Sequence, residues 1–513
     1  MKHPYDRKRA RRSIFDTVLF RAISQAATVL SYVVLVRGLS EHEFGVFNLF
    51  YSFISLIATV LSLGLEQTLR RYQPEYIRAG AAPAALRLVR FVARGRLAAN
   101  LLMLAVVLLA WNAIAPHFEI TAYRAQFALF GLVLVLHFQA RVLQLSLSSH
   151  MLQRYSVGML SLLSVAKLIG YSAFVLLGSL TLETAIVVDI VGYAITFAGL
   201  RLAHRRHCEQ VDDTGFRFSR EERRRLLKYG LVYNFNDAGG MMLSTRADNF
   251  FVAALMNPVA VGAYSFYTRL SNMVAHLLPT QMFENIIQPL FFAIPQQEAD
   301  RRVPRYFSAL IDASLLVQMP ALAYAAAYHR EIVDLVFGGK FIEHSILLPV
   351  VFAFATLNVI ATPVTLVAQY AEKAAVILLS RILGLYNLAA LLILIPVLGV
   401  LGAAIANGSA HFLKNLFIWW HVRHAARWQG ASRVVVSSAA IWGAYVAVAL
   451  VLKRALPAHP LLHLLAGVAL AAVTMLVYVR SPALSKSDRE LFGSVLHGRE
   501  ARVLRWLGVL PAA

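Results

Sequence analysis

The chain has 513 residues, of which 59% are hydrophobic and only 15% are charged. Soluble domains carry about 25% charged residues, so the composition excludes a soluble protein and predicts an all-α polytopic membrane protein. The formal net charge of +22 does not indicate a nucleic-acid partner, because the basic residues lie between apolar runs. A single cysteine, Cys208, excludes an internal disulfide framework, and we expect neither a metal site nor another cofactor.

Fourteen apolar runs are each close to the about 20 residues that a helix needs to cross a bilayer. Residues 1–13, which hold six Lys or Arg, precede the first run as a basic cytoplasmic tail. That run is too long for the hydrophobic part of a cleaved signal peptide. We predict spans at residues 14–36, 43–68, 97–115, 125–147, 157–177, 184–200, 229–255, 261–283, 306–328, 345–370, 377–397, 400–420, 434–452 and 464–479.

The distribution of basic residues predicts the orientation of the chain. Of its 49 Lys and Arg, seven lie within predicted spans. Only six lie in outer segments when the N-terminus is cytoplasmic: Arg37, Arg124, Arg330, Lys340, Lys453 and Arg454. Positive charge collects on the cytoplasmic side, so we predict that both termini are cytoplasmic.

A long basic connector, residues 201–228, divides the chain into two halves. We predict an N-terminal lobe of six spans over residues 14–200 and a C-terminal lobe of six spans over residues 229–420. Two additional spans follow within residues 421–479, and residues 480–513 form an amphipathic cytoplasmic tail.

Two Ser-x-x-Glu patterns predict the start of a helix at the cytoplasmic surface. Ser219 and Glu222 begin a helix that leads into the seventh span, and Ser487 and Glu490 begin a helix in the tail. Apolar residues alternate with arginines in the tail, so we expect it to bind anionic membrane lipids.

A short internal repeat supports the division into two lobes. Residues 39–50, LSEHEFGVFNLF, align without gaps with residues 256–267, MNPVAVGAYSFY, and each copy lies between the first two spans of its lobe. An even number of spans separates the copies, so the lobes have the same orientation. We predict pseudo-two-fold symmetry about an axis along the membrane normal, with substrate between the lobes.

The seventh span carries polar groups that a lipid-facing helix could not hold. On one continuous helix they share a narrow face, formed by Asn234, Asp237, Met241, Ser244 and Asp248. A charge near the bilayer centre costs about 2.5 kcal/mol or more, so we expect this face to line a wet cavity. Asp237 and Asp248 are candidates for coupling transport to an ion, and Gly239-Gly240 is a point where the helix can bend.

Basic residues inside the spans predict an anionic substrate. Lys167 and Arg269 lie nearest the centres of their spans, where snorkelling to the interface is least effective, and are the main binding candidates. Further cations lie four or five residues from a span centre, where snorkelling or pairing with an aspartate is an equal alternative: Arg21, Arg141, Arg246 and Lys414. The deeper acidic residues are Asp189, Asp237, Asp248 and Asp312. The excess is positive, which suits a pyrophosphate because arginine bonds two oxygens at once.

Other polar residues within the spans have structural explanations. Glu66 and Arg381 lie near cytoplasmic ends, where a position at the membrane interface is expected. His137, His276 and His411 are expected to be hydrogen-bonded core residues and not proton carriers.

Several short motifs follow the order and spacing of one family. They are Gly38–Ser40, Phe44–Phe47, Gly64–Gln67, Arg70–Tyr72, Arg246–Asp248, Val261–Tyr264, Val336–Gly338 and Leu398–Ala404. Over roughly residues 14–420, this pattern resembles the polysaccharide-biosynthesis flippases of the multidrug/oligosaccharidyl-lipid/polysaccharide (MOP) superfamily. The resemblance implies an O-antigen (Wzx-type) flippase of the bacterial inner membrane, which moves undecaprenyl-pyrophosphate-linked oligosaccharide outward by alternating access. It also implies a polysaccharide polymerase and chain-length machinery as partners.

Two other transport functions remain open, and enzymatic functions are disfavoured. A cation-coupled multidrug exporter of the same superfamily needs a net acidic cavity, and a lipid II flippase carries a related substrate. A polymerase or ligase needs a large outer loop, and the longest here, His329–His344, is short. The chain has no Walker loop, and Asp212-Asp213 is the one pair of aspartates in the connector, where a glycosyltransferase would need acidic metal ligands.

Overall fold

The protein is α-helical in a computed structural model that describes residues 7–60, 62–209, 217–282, 287–288, 291–292 and 294–481. These residues form helices and short 3-10 turns, and none of them forms a strand. The chain divides into two compact units, Met1–Gly262 and Ala263–Ala513. The predicted lobe boundaries and the symmetry between lobes stay predictions. The helix predicted to begin at Ser487 lies outside the described residues.

The first unit is organised around long helices that pack side by side. Its helices are α1 (Arg7–Gly38), α2 (Glu41–Val60), α3 (Leu65–Arg78), α4 (Ala82–Leu109), α5 (Trp111–Ile114), α6 (Arg124–Ser149), α7 (Gln153–Ser156), α8 (Gly158–Leu176), α9 (Leu182–Cys208), α10 (Arg220–Met241) and α11 (Thr245–Leu255). α1 packs along α8, and α6 packs along α9. Aromatic rings join α2 to α6, with centroids 5.1 Å apart for Phe50 and Phe127 and 4.9 Å apart for Tyr51 and Phe130.

The second unit begins within α12 (Pro258–Ala275) and contains one very long helix. The helices that follow are α13 (Pro279–Met282), α14 (Ala299–Phe337), α15 (Leu347–Leu357), α16 (Ala361–Tyr370), α17 (Ala374–Leu379), α18 (Leu383–Leu398), α19 (Val400–Val422), α20 (Ala431–Ala455) and α21 (Pro460–Arg480). α14 is kinked at Tyr328. The last two helices pack against α14, and Lys453 of α20 contacts Glu331 at 2.6 Å and donates to the Ala327 carbonyl at 2.9 Å.

Nine helical stretches of the described residues are long and apolar enough to cross a membrane. They are Ala82–Leu109, Thr121–Ser149, Gln153–Leu176, Leu182–Cys208, Gln296–Phe337, Leu347–Tyr370, Ala374–Leu398, Ala431–Ala455 and Pro460–Arg480. Large apolar side chains stay exposed on these stretches, including Leu176, Leu109 and Val397. Such exposure is expected where a helix faces lipid. The predicted all-α polytopic class is therefore confirmed, whereas the number of fourteen spans stays a prediction.

The seventh predicted span is not one continuous helix. α10 ends at Met241 and α11 begins at Thr245, and Ser244 caps the second helix by accepting a hydrogen bond from the Ala247 N–H at 3.3 Å. The expectation that Asp237 and Asp248 share one straight face is wrong because it required uninterrupted helical periodicity. A serine at this position satisfies an N–H that a new helix leaves unpaired, which favours the break.

Side-chain caps begin three helices, two at the internal repeat and one at a predicted Ser-x-x-Glu pattern. Ser40 caps α2 through Glu43, and Asn257 accepts from the Ala260 N–H at 2.9 Å at the start of α12. These two caps occupy equivalent positions of the internal repeat. Ser219 caps α10 as predicted, accepting from the Glu222 N–H at 3.1 Å.

The side chain of Glu222 forms a contact between α10 and α3. Its carboxylate accepts a hydrogen bond of 3.1 Å from the Tyr76 hydroxyl of α3. Burial, together with this bond, raises the pKa of Tyr76 to about 12, so the phenol stays protonated and remains a donor. The start of α10 is thereby tied to α3.

Candidate functional site

The candidate site lies in the first unit and begins with a buried ion pair between α8 and α9. The Lys167 ammonium lies 2.8 Å from an Asp189 carboxylate oxygen. Asp189 is completely buried, and 18% of the Lys167 side chain is exposed. Tyr51 of α2 and Tyr171 of α8 both donate hydrogen bonds to Asp189. The carboxylate is therefore fully supported, as a buried charge requires.

A second set of charges joins α3, α4 and α6. Glu66 lies 3.7 Å from the Arg96 guanidinium and 3.8 Å from that of Arg141. Arg96 is buried, and its guanidinium lies 3.8 Å from the centroid of the Phe138 ring. Arg141 is 34% exposed and also donates to the Gln144 amide oxygen at 2.8 Å. Glu66 therefore belongs to an ion-pair network inside the unit, and its expected position at the membrane interface stays a prediction.

The turn before Glu66 brings the backbone at Gly64 into contact with the backbone of α10 at Gly230. Gly64 has a φ of 62°, and a Cβ placed there would lie 1.9 Å from the Gly230 carbonyl oxygen of α10. Only glycine combines this backbone conformation with so close an approach. The next residue after Glu66, Gln67, donates to the Asp237 carboxylate at 3.4 Å. The motif Gly64–Gln67 thus positions both its acidic and its amide side chain.

The third element of the site is α11, which lies against α2. Arg246 is exposed and donates a hydrogen bond to the Ser55 hydroxyl. Asn249 is buried and donates to the Ser52 hydroxyl at 2.8 Å. Two polar contacts to successive turns of α2 hold α11 in place, so the position of the Arg246 guanidinium is set by this packing.

His137 of α6 lies within electrostatic range of these charges. Lys167, Arg141, Arg246 and Arg96 all act electrostatically on its imidazole. The Tyr193 ring connects two of the groups, because it lies 5.2 Å from the His137 ring and 4.7 Å from the Lys167 ammonium. We name this set of side chains the cationic cluster: His137, Arg96, Arg141, Lys167 and Arg246, with the carboxylates Glu66 and Asp189.

The cationic cluster carries an excess of positive charge. As defined, it holds four permanent cations and two carboxylates, and two further carboxylates, Asp237 and Asp248, lie on α10 and α11. Arg141 and Arg246 are its most accessible cations, whereas Arg96 is buried and Lys167 is held by Asp189. Two accessible guanidinium groups in a partly buried setting can bind the oxygens of a phosphate by charge-assisted hydrogen bonds.

The structure brings together three of the six candidate cations, and Lys414 lies on α19 of the second unit. Lys167, Arg141 and Arg246 belong to the cationic cluster, Arg21 is exposed on α1 of the same unit, and Arg269 is exposed on α12 within the second unit. Their role in binding substrate stays a prediction.

Arg96 was not among the predicted cations. In the sequence it ends a basic run between two spans, which is typical of surface charge. Arg96 lies one helical turn after Val92, which is fully buried, but the sequence alone did not mark this face of α4 as buried.

The two predicted ion-coupling residues lie in different surroundings. Asp237 is partly buried near the end of α10 and accepts the bond from Gln67. Asp248 is completely buried in the first turn of α11. Among the residues that the structure describes, no group of three or more His, Cys, Asp or Glu could hold a metal ion.

The fold is shared with transporters of known structure. It is similar to the lipid II flippase MurJ in an inward closed conformation, with a TM-score of 0.66 and 12% identity over 90% of this chain and 98% of that chain. It is similar to a multidrug resistance MATE family transporter of the MOP superfamily, inward-facing, with a TM-score of 0.64 and 14% identity over 80% and 98%. It is also similar to a MATE transporter from Vibrio cholerae, with a TM-score of 0.53 and 13% identity over 82% of this chain and 97% of that chain. The chain is a multi-pass membrane protein with the fold of the MOP superfamily.

The sequence narrows this class to a family. Residues 34–346 match the family model described as polysaccharide biosynthesis protein, which is more than half of the chain. The chain therefore belongs to the polysaccharide biosynthesis protein family, and the predicted superfamily and family are confirmed. Among curated proteins, none matches the sequence.

Proposed function

We propose that the protein translocates undecaprenyl-pyrophosphate-linked oligosaccharide across the bacterial inner membrane, from the cytoplasmic to the outer leaflet, by alternating access. The observation that carries this proposal is the cationic cluster of the first unit. A pyrophosphate has several charged oxygens and needs several cationic donors, which Arg141 and Arg246 supply at accessible positions. The prenyl tail stays in lipid while the head group passes through the protein.

Lys167 has a secondary role in this proposal. Its ammonium is bound to Asp189, so the pair adds little net charge. Its partial exposure still lets it contact a ligand oxygen. If a ligand took over part of the contact between Lys167 and Asp189, the Asp189 carboxylate would keep the hydrogen bonds from Tyr51 and Tyr171. We therefore rank Arg141 and Arg246 above Lys167 as binding groups.

Lipid II is a second candidate substrate. The fold is that of MurJ, which is described as a lipid II flippase, over 90% of this chain, and lipid II also presents a pyrophosphate. The match to the polysaccharide biosynthesis family favours the oligosaccharide. A multidrug cation as substrate is disfavoured because the cationic cluster would repel it.

The proposal is tested by alanine variants in a strain that lacks this gene. We expect Arg141→Ala and Arg246→Ala each to lower the restored surface polysaccharide about tenfold or more, since a hydrogen bond to a charged group contributes about 1.5–3 kcal/mol. Arg71→Ala is the matched control, because Arg71 is an exposed arginine paired with Glu75 on α3. If both cluster variants restore the polysaccharide fully at wild-type protein levels, the proposal is wrong.

A further inference from the structure

The second unit contains a cavity of about 240 Å³ that the cationic cluster does not involve. Its lining comes from α13, residues 287–288 and α16: Thr280, Ile287, Gln288, Ala361, Thr362, Thr365, Leu366 and Gln369. The cavity lies where the predicted topology places the cytoplasmic ends of the eighth and tenth spans.

The lining combines uncharged hydrogen-bonding groups with apolar surface. Three threonines and two glutamines line the same space as Ile287, Ala361 and Leu366. The Thr365 hydroxyl donates to the Ala361 carbonyl at 2.7 Å, which leaves its oxygen free to act as an acceptor. Thr280 is only 3% exposed, so its hydroxyl is set deep in the cavity wall.

The lining does not suit the phosphate groups or the prenyl chain of a lipid-linked substrate. None of the described lining residues is charged, so this part of the lining lacks the cationic donors that a phosphate requires. A prenyl chain could not form hydrogen bonds with the glutamine and threonine side chains of the lining, which makes it a poor match for this surface. The volume is also below the about 300–1,000 Å³ of sites for drug-sized ligands.

A single sugar ring meets each of these conditions. Its hydroxyl and acetamido groups donate and accept hydrogen bonds, which matches glutamine amides that can do both. Its C–H face is apolar and suits the aliphatic side chains of Ile287 and Leu366. The polar residues lie on segments near the membrane, where groups of this kind are retained when they line a wet cavity.

We propose that this cavity is a saccharide subsite, which binds one uncharged sugar of the lipid-linked oligosaccharide. The inference rests on the function proposed above and adds to it a place within the second unit where one sugar of the substrate binds.

The test compares lipids with and without sugar on the purified full-length protein. The probes are undecaprenyl pyrophosphate and a panel of the same lipid carrying one N-acetylglucosamine, glucose or galactose. We expect at least one sugar-bearing lipid to bind more tightly than the sugar-free lipid. In a Gln288→Ala/Gln369→Ala variant that sugar-dependent gain, about tenfold, is lost while the affinity for undecaprenyl pyrophosphate is unchanged.

Two further variants guard against misfolding and non-specific effects. Thr362→Val keeps the side-chain shape and removes one hydroxyl, so it should lower only the sugar-dependent part of the affinity. Gln296→Ala changes an exposed glutamine outside the cavity and should have no effect. The inference is overturned if no sugar in the panel raises the affinity, or if the variants bind sugar-bearing lipid as well as the wild type. Failure of the wild type to bind any pyrophosphate lipid would instead overturn the proposed function.

Discussion

Glu66 is the residue on which the arginines of the cationic cluster depend. It is the carboxylate within salt-bridge distance of both the buried Arg96 and the more accessible Arg141. Removing one partner of a buried ion pair costs more than the pair contributes, because a charge is left without compensation. Glu66 therefore stabilises Arg96 and lowers the repulsion that the converging cations exert on one another.

The first prediction concerns this carboxylate. We expect Glu66→Gln to destabilise the protein by about 3 kcal/mol, measured as a lower unfolding temperature of the detergent-purified protein. Glu75→Gln is the control, because Glu75 forms exposed pairs with Arg71 and Arg225, which contribute little. The double variant Glu66→Gln/Arg96→Met should recover part of the loss. Equal unfolding temperatures for Glu66→Gln and Glu75→Gln would contradict this account.

At the scale of single residues, the sequence indicated three of the cations in the cationic cluster but not which carboxylates they pair with. Lys167, Arg141 and Arg246 were singled out because cations are costly within a span. Their pairing could not be predicted, since Glu66 and Arg141 are 75 positions apart and meet only after α3 and α6 have packed. Arg96 was missed for the same reason: its burial arises from packing and not from its neighbours in sequence.

At the scale of elements, local sequence signals were sufficient to predict a helix start where one capping side chain determines it. The Ser219 cap of α10 was predicted from four residues and is present. The break after Met241 was not predicted, although Gly239-Gly240 marked a weak point four residues before Ser244. The apolar pattern continues through the break, because both half-helices pack in the same unit, so periodicity alone could not reveal it.

The turn at Gly64 allows a prediction with an internal control. Gly64 and Gly80 both have positive φ, of 62° and 71°, but only at Gly64 would a Cβ collide with another backbone. We expect Gly80→Ala to cost about 1 kcal/mol from the left-handed conformation alone. Gly64→Ala should cost clearly more, because α3 and α10 must separate. Comparison of the two unfolding temperatures checks this, and equal values would show that the close approach is unimportant.

At the scale of the whole molecule, composition and motif order predicted the class and the superfamily. A low share of charged residues indicated a membrane protein, and short motifs indicated the MOP superfamily, which both the family match and the fold confirm. The cavity of the second unit was not predicted. Its threonines and glutamines are uncharged and scattered through apolar segments, so they give no signal until α13 and α16 are placed together.

The most direct test of the central claim is the transport of a pyrophosphate lipid by the purified protein in liposomes. Labelled undecaprenyl-pyrophosphate-linked oligosaccharide should move between leaflets in the presence of the wild-type protein. Arg141→Gln/Arg246→Gln should reduce the rate about a hundredfold, as expected for the loss of two hydrogen bonds to a charged group, while Arg71→Gln keeps the wild-type rate. Transport by the double variant at the wild-type rate would contradict a cationic site for the pyrophosphate.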